Sequence, residues 1–105
     1  MYVCTVWKSR ALTPEQANRM MATWGKLEAS MASNPAGDRA CWFINSDGTG
    51  GLTVTTVKDP DAFAVLELEQ SLALGEFLEF TSNIVLDLDS AMPGILKGME
   101  HVNAK

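Results

Sequence analysis

The sequence has little of what metal centres, redox pairs and nucleic-acid interfaces are made of. Cys4, Cys41 and His101 are its 2 cysteines and 1 histidine, and none lies at ligand or redox-pair spacing. It has 8 Lys and Arg against 13 Asp and Glu, a formal net charge of -5, and no cluster of cations for phosphate backbones or anionic lipid. No run approaches the ~20 apolar residues of a membrane span. We therefore expect no metal, cofactor, nucleic acid or membrane.

The amino terminus and the composition indicate an ordinary globular chain. Met1 leads directly into an alternating apolar segment, without the basic region and hydrophobic stretch of a signal peptide. We therefore expect a cytoplasmic protein with two reduced thiols. At 105 residues, with 47% hydrophobic and 20% charged residues, the chain can build one core. One domain covering residues 1–105 is expected.

Alternation and end signals divide the chain into seven segments. Thr13 and Pro14 are a typical helix start, since threonine caps free N–H groups and proline suits the first turn. Asp59 and Pro60 repeat the pattern, and the acid also favours the positive end of the helix dipole. The predicted strands cover residues 2–7, 39–45, 52–57 and 77–88. The predicted helices start at residues 13–14, 59–60 and 90 and end before 34, near 74 and at 102.

The order of these segments predicts an α+β fold of the βαββαβ type with an added C-terminal helix. The second and third strands are joined by a short, turn-rich loop and should form an antiparallel hairpin. Two βαβ-like halves with right-handed crossovers give a four-stranded antiparallel sheet in the order 4-1-3-2, with the first two helices on one face. The other face is left uncovered.

Apolar residues on both sides of the strands predict an interface. In the second strand Ala40, Trp42 and Ile44 alternate with Cys41 and Phe43, so neither face of the sheet is polar. An exposed apolar surface of that extent usually marks a contact with another chain. We therefore predict a homodimer through the open sheet face, with the long fourth strand and the terminal helix reaching across to the neighbour.

Several short motifs resemble one superfamily. They are Trp7-Lys8 at the end of the first strand, Gly50-Gly51, Asp59-Pro60, and Phe77-Leu78-Glu79-Phe80 at the start of the last strand. Together they cover nearly the whole chain and are similar to the dimeric α+β barrel superfamily, and within it to a group of small uncharacterised bacterial proteins. The resemblance implies a ferredoxin-like fold whose dimer closes a barrel.

That superfamily includes cofactor-free monooxygenases acting on polycyclic aromatics, haem-degrading enzymes, lactone isomerases and proteins that only bind. The haem-degrading members resemble each other in an Asn near the end of the first strand and a His on the second helix. This sequence has neither, because its first strand ends at Trp7-Lys8 and its histidine is His101. Fold alone does not choose among the other activities.

Glu69 is the candidate catalytic residue. A count of 100° per residue places it inside the apolar face of the second helix, where a carboxylate is costly unless it is paired or used. It would then face the space between sheet and helices and act as a general base. The alternative is a helix rotated or broken near Glu69, which leaves the acid in solvent. The residues that define the apolar face are Ala62, Val65, Leu68, Leu72 and Ala73.

Aromatic residues are the candidate substrate-binding groups. Trp7, Trp24, Trp42 and Phe63 could line a cavity for an aromatic ligand, and Asn45, at a strand end, could orient a ligand carbonyl. Equally, the aromatic residues could be core and the amide a turn residue. The sequence thus favours a small dimeric protein that binds an apolar or aromatic molecule, such as a cofactor-independent monooxygenase, isomerase or cyclase. The alternative is a non-catalytic binding or assembly module with a closed core.

Overall fold

The computed structural model describes residues 1–33 and 36–104. Its strands are β1 (Tyr2–Ser9), β2 (Gly37–Ile44), β3 (Gly50–Val57) and β4 (Leu78–Val85). Its helices are α1 (Pro14–Ser33), α2 (Pro60–Leu74) and α3 (Leu88–Asn103). The element order is the one predicted, and the first helix ends where the sequence indicates, although Asn34 and Pro35 themselves lie outside the described residues.

The four strands form one antiparallel sheet in the order β2-β3-β1-β4, which confirms the predicted topology. Thr5 in the middle of β1 lies opposite Thr53 of β3 and Ser82 of β4. Directly opposed residues project from the same face, so these three side chains share one side of the sheet. That side carries α1 and α2, and we call it the inner face.

Local capping sets where the first two helices begin. Thr13 and Gln16 form a reciprocal cap at the start of α1. The backbone N–H of Gln16 donates to Thr13 Oγ1 at 3.2 Å, and the backbone N–H of Thr13 donates to Gln16 Oε1 at 2.9 Å. Asp59 accepts a bond from the Ala62 N–H at 3.1 Å and caps α2. Both starts follow directly from the residue types.

The core is small and lies between α1, the end of α2 and the start of β4. Its buried cluster is Leu27, Leu74, Phe77 and Leu78. Leu74 is completely inaccessible to solvent, so the C-terminal end of α2 is the part of that helix held most firmly against the sheet. Trp7 and Trp24 pack against the same cluster while remaining partly exposed on their other sides.

The fourth strand is shorter than predicted. The alternation through Leu86 and Leu88 suggested a 12-residue strand over 77–88, but β4 ends at Val85. Asp87 instead accepts a hydrogen bond from the Ser90 N–H at 2.9 Å and caps α3, which therefore begins at Leu88. The cap overrides the strand-like pattern of the apolar residues around it.

Helix α3 projects away from the rest of the chain. None of its residues is buried, and Val102 near its end is 84% exposed. Its 16 residues span about 24 Å. The chain measures 60 × 30 × 21 Å, with a radius of gyration of 17.1 Å where a compact chain of this length would have ~13 Å. No helix within the described part of the chain is long and apolar enough to cross a bilayer.

The face of the sheet opposite the helices is open. Its exposed surface is apolar mainly on β1 and β2 and polar along β4, where Glu79, Thr81 and Asn83 project to this side. We call this side the outer face, and its large exposed side chains are Tyr2, Val6 and Phe43, with Phe43 64% exposed. Cys4 and Cys41 lie on the same side, each opposite Val54 of the strand between them. Both are free thiols. Because β3 lies between their strands, they are roughly 10 Å apart.

Candidate functional site

A cavity of about 320 Å³ lies between the inner face of the sheet and α1. We call it the tryptophan chamber, because Trp7, Trp24 and Trp42 all line it, together with Met20 and Phe80. Its volume is in the range of small-molecule sites, which are mostly apolar with a few polar groups. The structure therefore brings the three predicted tryptophans to one cavity, and their role in binding a ligand stays a prediction.

The tryptophans form a connected wall. The ring centroids of Trp7 and Trp42 are 6.4 Å apart at an interplanar angle of 67°, and those of Trp24 and Trp42 are 5.5 Å apart at 38°. Such edge-to-face and tilted pairs are favourable arrangements of aromatic rings. Gly51 lies opposite Trp7, and a Cβ at this position would meet the Trp7 ring at 2.6 Å. The glycine thus leaves the space in which the Trp7 ring lies.

Arg39 is the one charged side chain among the described residues that line the tryptophan chamber. A β-bulge at Ala40 shifts the register of β2, so Arg39 lies opposite Thr55 and Trp42 lies opposite Thr53, on the same face. The guanidinium carbon is 4.4 Å from the centre of the Trp42 ring, a cation–π distance. Without the bulge, residues three apart in a strand would point to opposite faces.

A second cavity, of about 260 Å³, lies beside the first between α1, α2 and the sheet. We call it the acidic chamber, because Glu28 and Glu67 line it, with Phe63 as its aromatic wall. Arg39 and Gln70 line both chambers, so the two cavities meet at these side chains. Phe63, predicted to act beside the tryptophans, belongs to the acidic chamber instead.

Three polar side chains connect the sheet to α2 near that junction. Thr5, which is 6% exposed, lies 2.8 Å from the Ser82 hydroxyl, and its own hydroxyl donates to Glu67 Oε1 at 3.5 Å. Because one hydroxyl has a single proton, a Thr5 that donates to Glu67 accepts from Ser82. The arrangement therefore holds a carboxylate against the inner face, in a chamber wall, with a chain of hydroxyls behind it.

The predicted orientation of α2 is wrong by a large rotation. Val65, Leu68 and Leu72, expected to face the core, are 62%, 61% and 78% exposed. The helix is apolar on nearly every side, so periodicity alone does not select the buried face, and burial of Leu74 does. Consequently Glu67 faces the sheet, and Glu69 lies on the flank of the helix, outside the residues that line either chamber.

Asn45 lies at the end of the β2–β3 hairpin rather than in a chamber wall. Its backbone N–H donates to the Gly50 carbonyl at 2.8 Å, and its carbonyl accepts from the Gly48 N–H at 2.9 Å. These contacts are those of a turn residue, the alternative that the sequence left open. Asn45 is not among the described residues that line either cavity.

The sequence patterns singled out none of the polar residues that line the two chambers, among them Thr5, Glu67, Gln70 and Arg39. Thr5 could have been found, because Val3, Thr5 and Trp7 are every second residue of β1 and therefore share its inner face. Glu67 and Gln70 depended on the rotation of α2, and Arg39 depended on the bulge. The described residues contain no group of three or more His, Cys, Asp or Glu that could hold a metal ion.

Comparison with known proteins shows a likeness in structure but not in sequence. No protein-family model matches the chain, and no curated protein sequence does. The fold is similar to that of SnoaB, a cofactor-independent oxygenase from Streptomyces nogalater, with a TM-score of 0.54 at 14% identity over 82% of this chain and 92% of that one. The chain has a ferredoxin-like fold.

Two further structures support the same fold. A protein of Nitrosomonas europaea, assigned to antibiotic biosynthesis monooxygenases, gives a TM-score of 0.53 at 13% identity over 83% of this chain and all (100%) of the other. Another antibiotic biosynthesis monooxygenase gives 0.51 at 9% identity, with the same 83% and 100% covered. At these identities the likeness establishes the fold alone.

Proposed function

We propose that this protein binds a planar aromatic molecule in the tryptophan chamber and oxygenates it without a cofactor. The observation that carries the proposal is the wall of three indoles around an open cavity of about 320 Å³. Aromatic walls hold planar ligands through apolar burial and ring stacking. The oxygenase chemistry is supported by the fold that the chain shares with SnoaB, which is itself a cofactor-independent oxygenase.

Glu67 is the group that we propose as the general base. A carboxylate acts on a ligand only if it borders the space that the ligand enters, and Glu67 borders the acidic chamber at its junction with the tryptophan chamber. Removal of the phenolic proton would leave an electron-rich aromatic anion that gives one electron to dioxygen. The two radicals then join in a C–O bond, and loss of one water molecule leaves a quinone, so the ligand itself supplies the electrons. The role predicted for Glu69 stays a hypothesis, and the geometry favours Glu67, which lies two residues earlier in α2 and faces the sheet.

The two glutamates provide a matched test. Glu67→Gln and Glu69→Gln are the same change on the same helix, and each is assayed by oxygen consumption with a panel of hydroxylated naphthalenes and anthracenes. We expect Glu67→Gln to lower turnover about 100-fold, the scale of general-base catalysis, and Glu69→Gln to leave it within about twofold. Equal turnover in both variants and the unchanged protein would rule out Glu67 as the base.

Binding is measured separately, by tryptophan fluorescence and thermal stabilisation with the same compounds. Saturable binding without oxygen consumption would favour the alternative, a non-catalytic binding module. Absence of both binding and turnover would favour an assembly module with a closed core.

We also propose that the protein is a homodimer in the cytoplasm, joined through the outer face. Phe43 and its apolar neighbours lie uncovered, and α3 extends its own exposed stripe of Ile95, Met99 and Val102 away from the chain. A second copy would cover both surfaces at once, since an apolar area of this kind usually marks an interface. The two thiols, unpaired on separate strands, fit a reducing compartment.

Sedimentation at micromolar concentration tests the dimer with a matched pair of variants. Phe43 on the outer face and Leu68 on α2 are 64% and 61% exposed. Phe43→Asp should give a monomer, because it buries a charge at the proposed interface, and Leu68→Asp should remain a dimer. A monomeric unchanged protein, or a dimer that survives Phe43→Asp, would contradict the proposal.

A further inference from the structure

The cation at the junction of the two chambers constrains the chemistry of the ligand. Among the described residues, the Arg39 guanidinium has one hydrogen-bond acceptor, Glu28 Oε1, at 3.4 Å. An arginine has five N–H donors in a planar fork, and a single long contact uses one of them. Its side chain is one-third exposed, so the remaining donors are open to the chambers that Arg39 lines.

The direction of the guanidinium is held by its neighbours. Trp42 lies beneath it at 4.4 Å, and Glu28 of α1 pairs with one end. These two contacts, with the Trp42 ring and with Glu28, restrict the orientation of the planar guanidinium. A fork fixed in this way suits a carboxylate, which takes two parallel N–H bonds.

The charges around the junction select a single carboxylate over a more highly charged group. The acidic chamber holds two carboxylates, Glu28 and Glu67, and Arg39 is the one cationic side chain among the described residues that line either chamber. A phosphate dianion would add two negative charges beside these carboxylates against the single positive charge of Arg39, whereas a monocarboxylate adds one. The other polar groups that line the tryptophan chamber are neutral, namely Thr5, Ser9, Thr53 and Gln70.

We propose that the ligand is an aromatic carboxylic acid, with its ring against the tryptophan wall and its carboxylate on Arg39. This inference rests on the proposed function, because it names the class of aromatic molecule that the tryptophan chamber takes. Such a ligand would reach both groups at once, because the Arg39 guanidinium lies over the Trp42 ring at 4.4 Å.

The test compares two ligands that differ only in charge and hydrogen bonding. Calorimetric titrations use 2-naphthoate and the neutral 2-naphthalenemethanol, with the unchanged protein and with Arg39→Gln and Arg39→Lys. We expect 2-naphthoate to bind at least about tenfold more tightly than the alcohol, the scale of a charged hydrogen bond. Arg39→Gln should remove this preference and leave the alcohol within about twofold, and Arg39→Lys should restore part of it, which shows that the fold is intact.

Arg19 is the matched control. It also pairs with a glutamate, Glu76 at 2.7 Å, and lies over an aromatic ring, that of Phe77 at 5.4 Å, but it lines neither chamber. Arg19→Gln should change the affinity of neither ligand. If both ligands bind equally and Arg39→Gln affects them alike, the carboxylate inference is overturned while the aromatic site stands. If neither binds, the proposed function itself fails.

Discussion

Replacing Gly51 by alanine should damage the tryptophan chamber, because an added Cβ would clash with the Trp7 ring and with the backbone carbonyl of Phe43 on β2. A Cβ on Gly51 would lie 2.6 Å from the Trp7 ring, and an ordinary carbon–carbon contact is about 3.5 Å. The ring must therefore move by roughly 0.9 Å, and β2 must shift as well to clear the Phe43 carbonyl. Trp7 packs against both Trp42 and the buried core, so neither movement is free. Overpacking of this kind costs about 1–3 kcal/mol of unfolding free energy.

Urea unfolding measures that cost, and near-ultraviolet circular dichroism reports the Trp7–Trp42 pair. The matched control is Gly25→Ala on α1, where an added Cβ would meet nothing within 4 Å. There the exchange should stabilise the helix by about 0.5–1 kcal/mol, because alanine is the better helix former. A Gly51→Ala protein with unchanged unfolding midpoint and unchanged aromatic spectrum would refute this account of Trp7.

Two further predictions concern hydrogen bonds that the structure describes. Thr5→Val should lower the unfolding free energy by about 1 kcal/mol, because the links to Ser82 and Glu67 are lost, and an unchanged urea midpoint would contradict it. Hydrogen bonds from the Ser90 hydroxyl and N–H hold the pKa of Asp87 below its usual value, so this cap stabilises α3 above about pH 4 and is lost as pH falls through the lowered pKa. Helicity at 222 nm should fall in that acidic range, at a higher pH in Ser90→Ala; an identical acid midpoint would argue against the cap.

The fold was predictable because its signals are local. Thr13 and Asp59 each cap a helix within three residues of themselves, and the loop after β2 is short and rich in turn residues. Given these elements, right-handed crossovers leave one sheet order. The end of β4 was predicted wrongly because two local signals disagree there. The alternation through Leu88 indicates a strand, whereas Asp87 caps a helix.

The chambers were predictable only in part. Strand alternation and the period of α1 bring Trp7, Trp42 and Trp24 to one side of the sheet, and the structure has them there. The rotation of α2 depends on burial of Leu74 in tertiary packing, which no pattern within an evenly apolar helix reveals. Likewise Arg39 reaches Trp42 through a bulge that carries no sequence signature of its own.

The indole N–H signals of the 3 tryptophans test the central claim most directly. In a nitrogen-15 correlation spectrum, each tryptophan gives one indole signal, assigned by single Trp→Phe variants. Titration with 2-naphthalenemethanol should shift the signals of Trp7, Trp24 and Trp42 together along one saturable curve, because all three line the same chamber. Signals that stay unchanged at saturating ligand, or that shift independently and without saturation, would contradict an aromatic-binding site between this sheet and its helices.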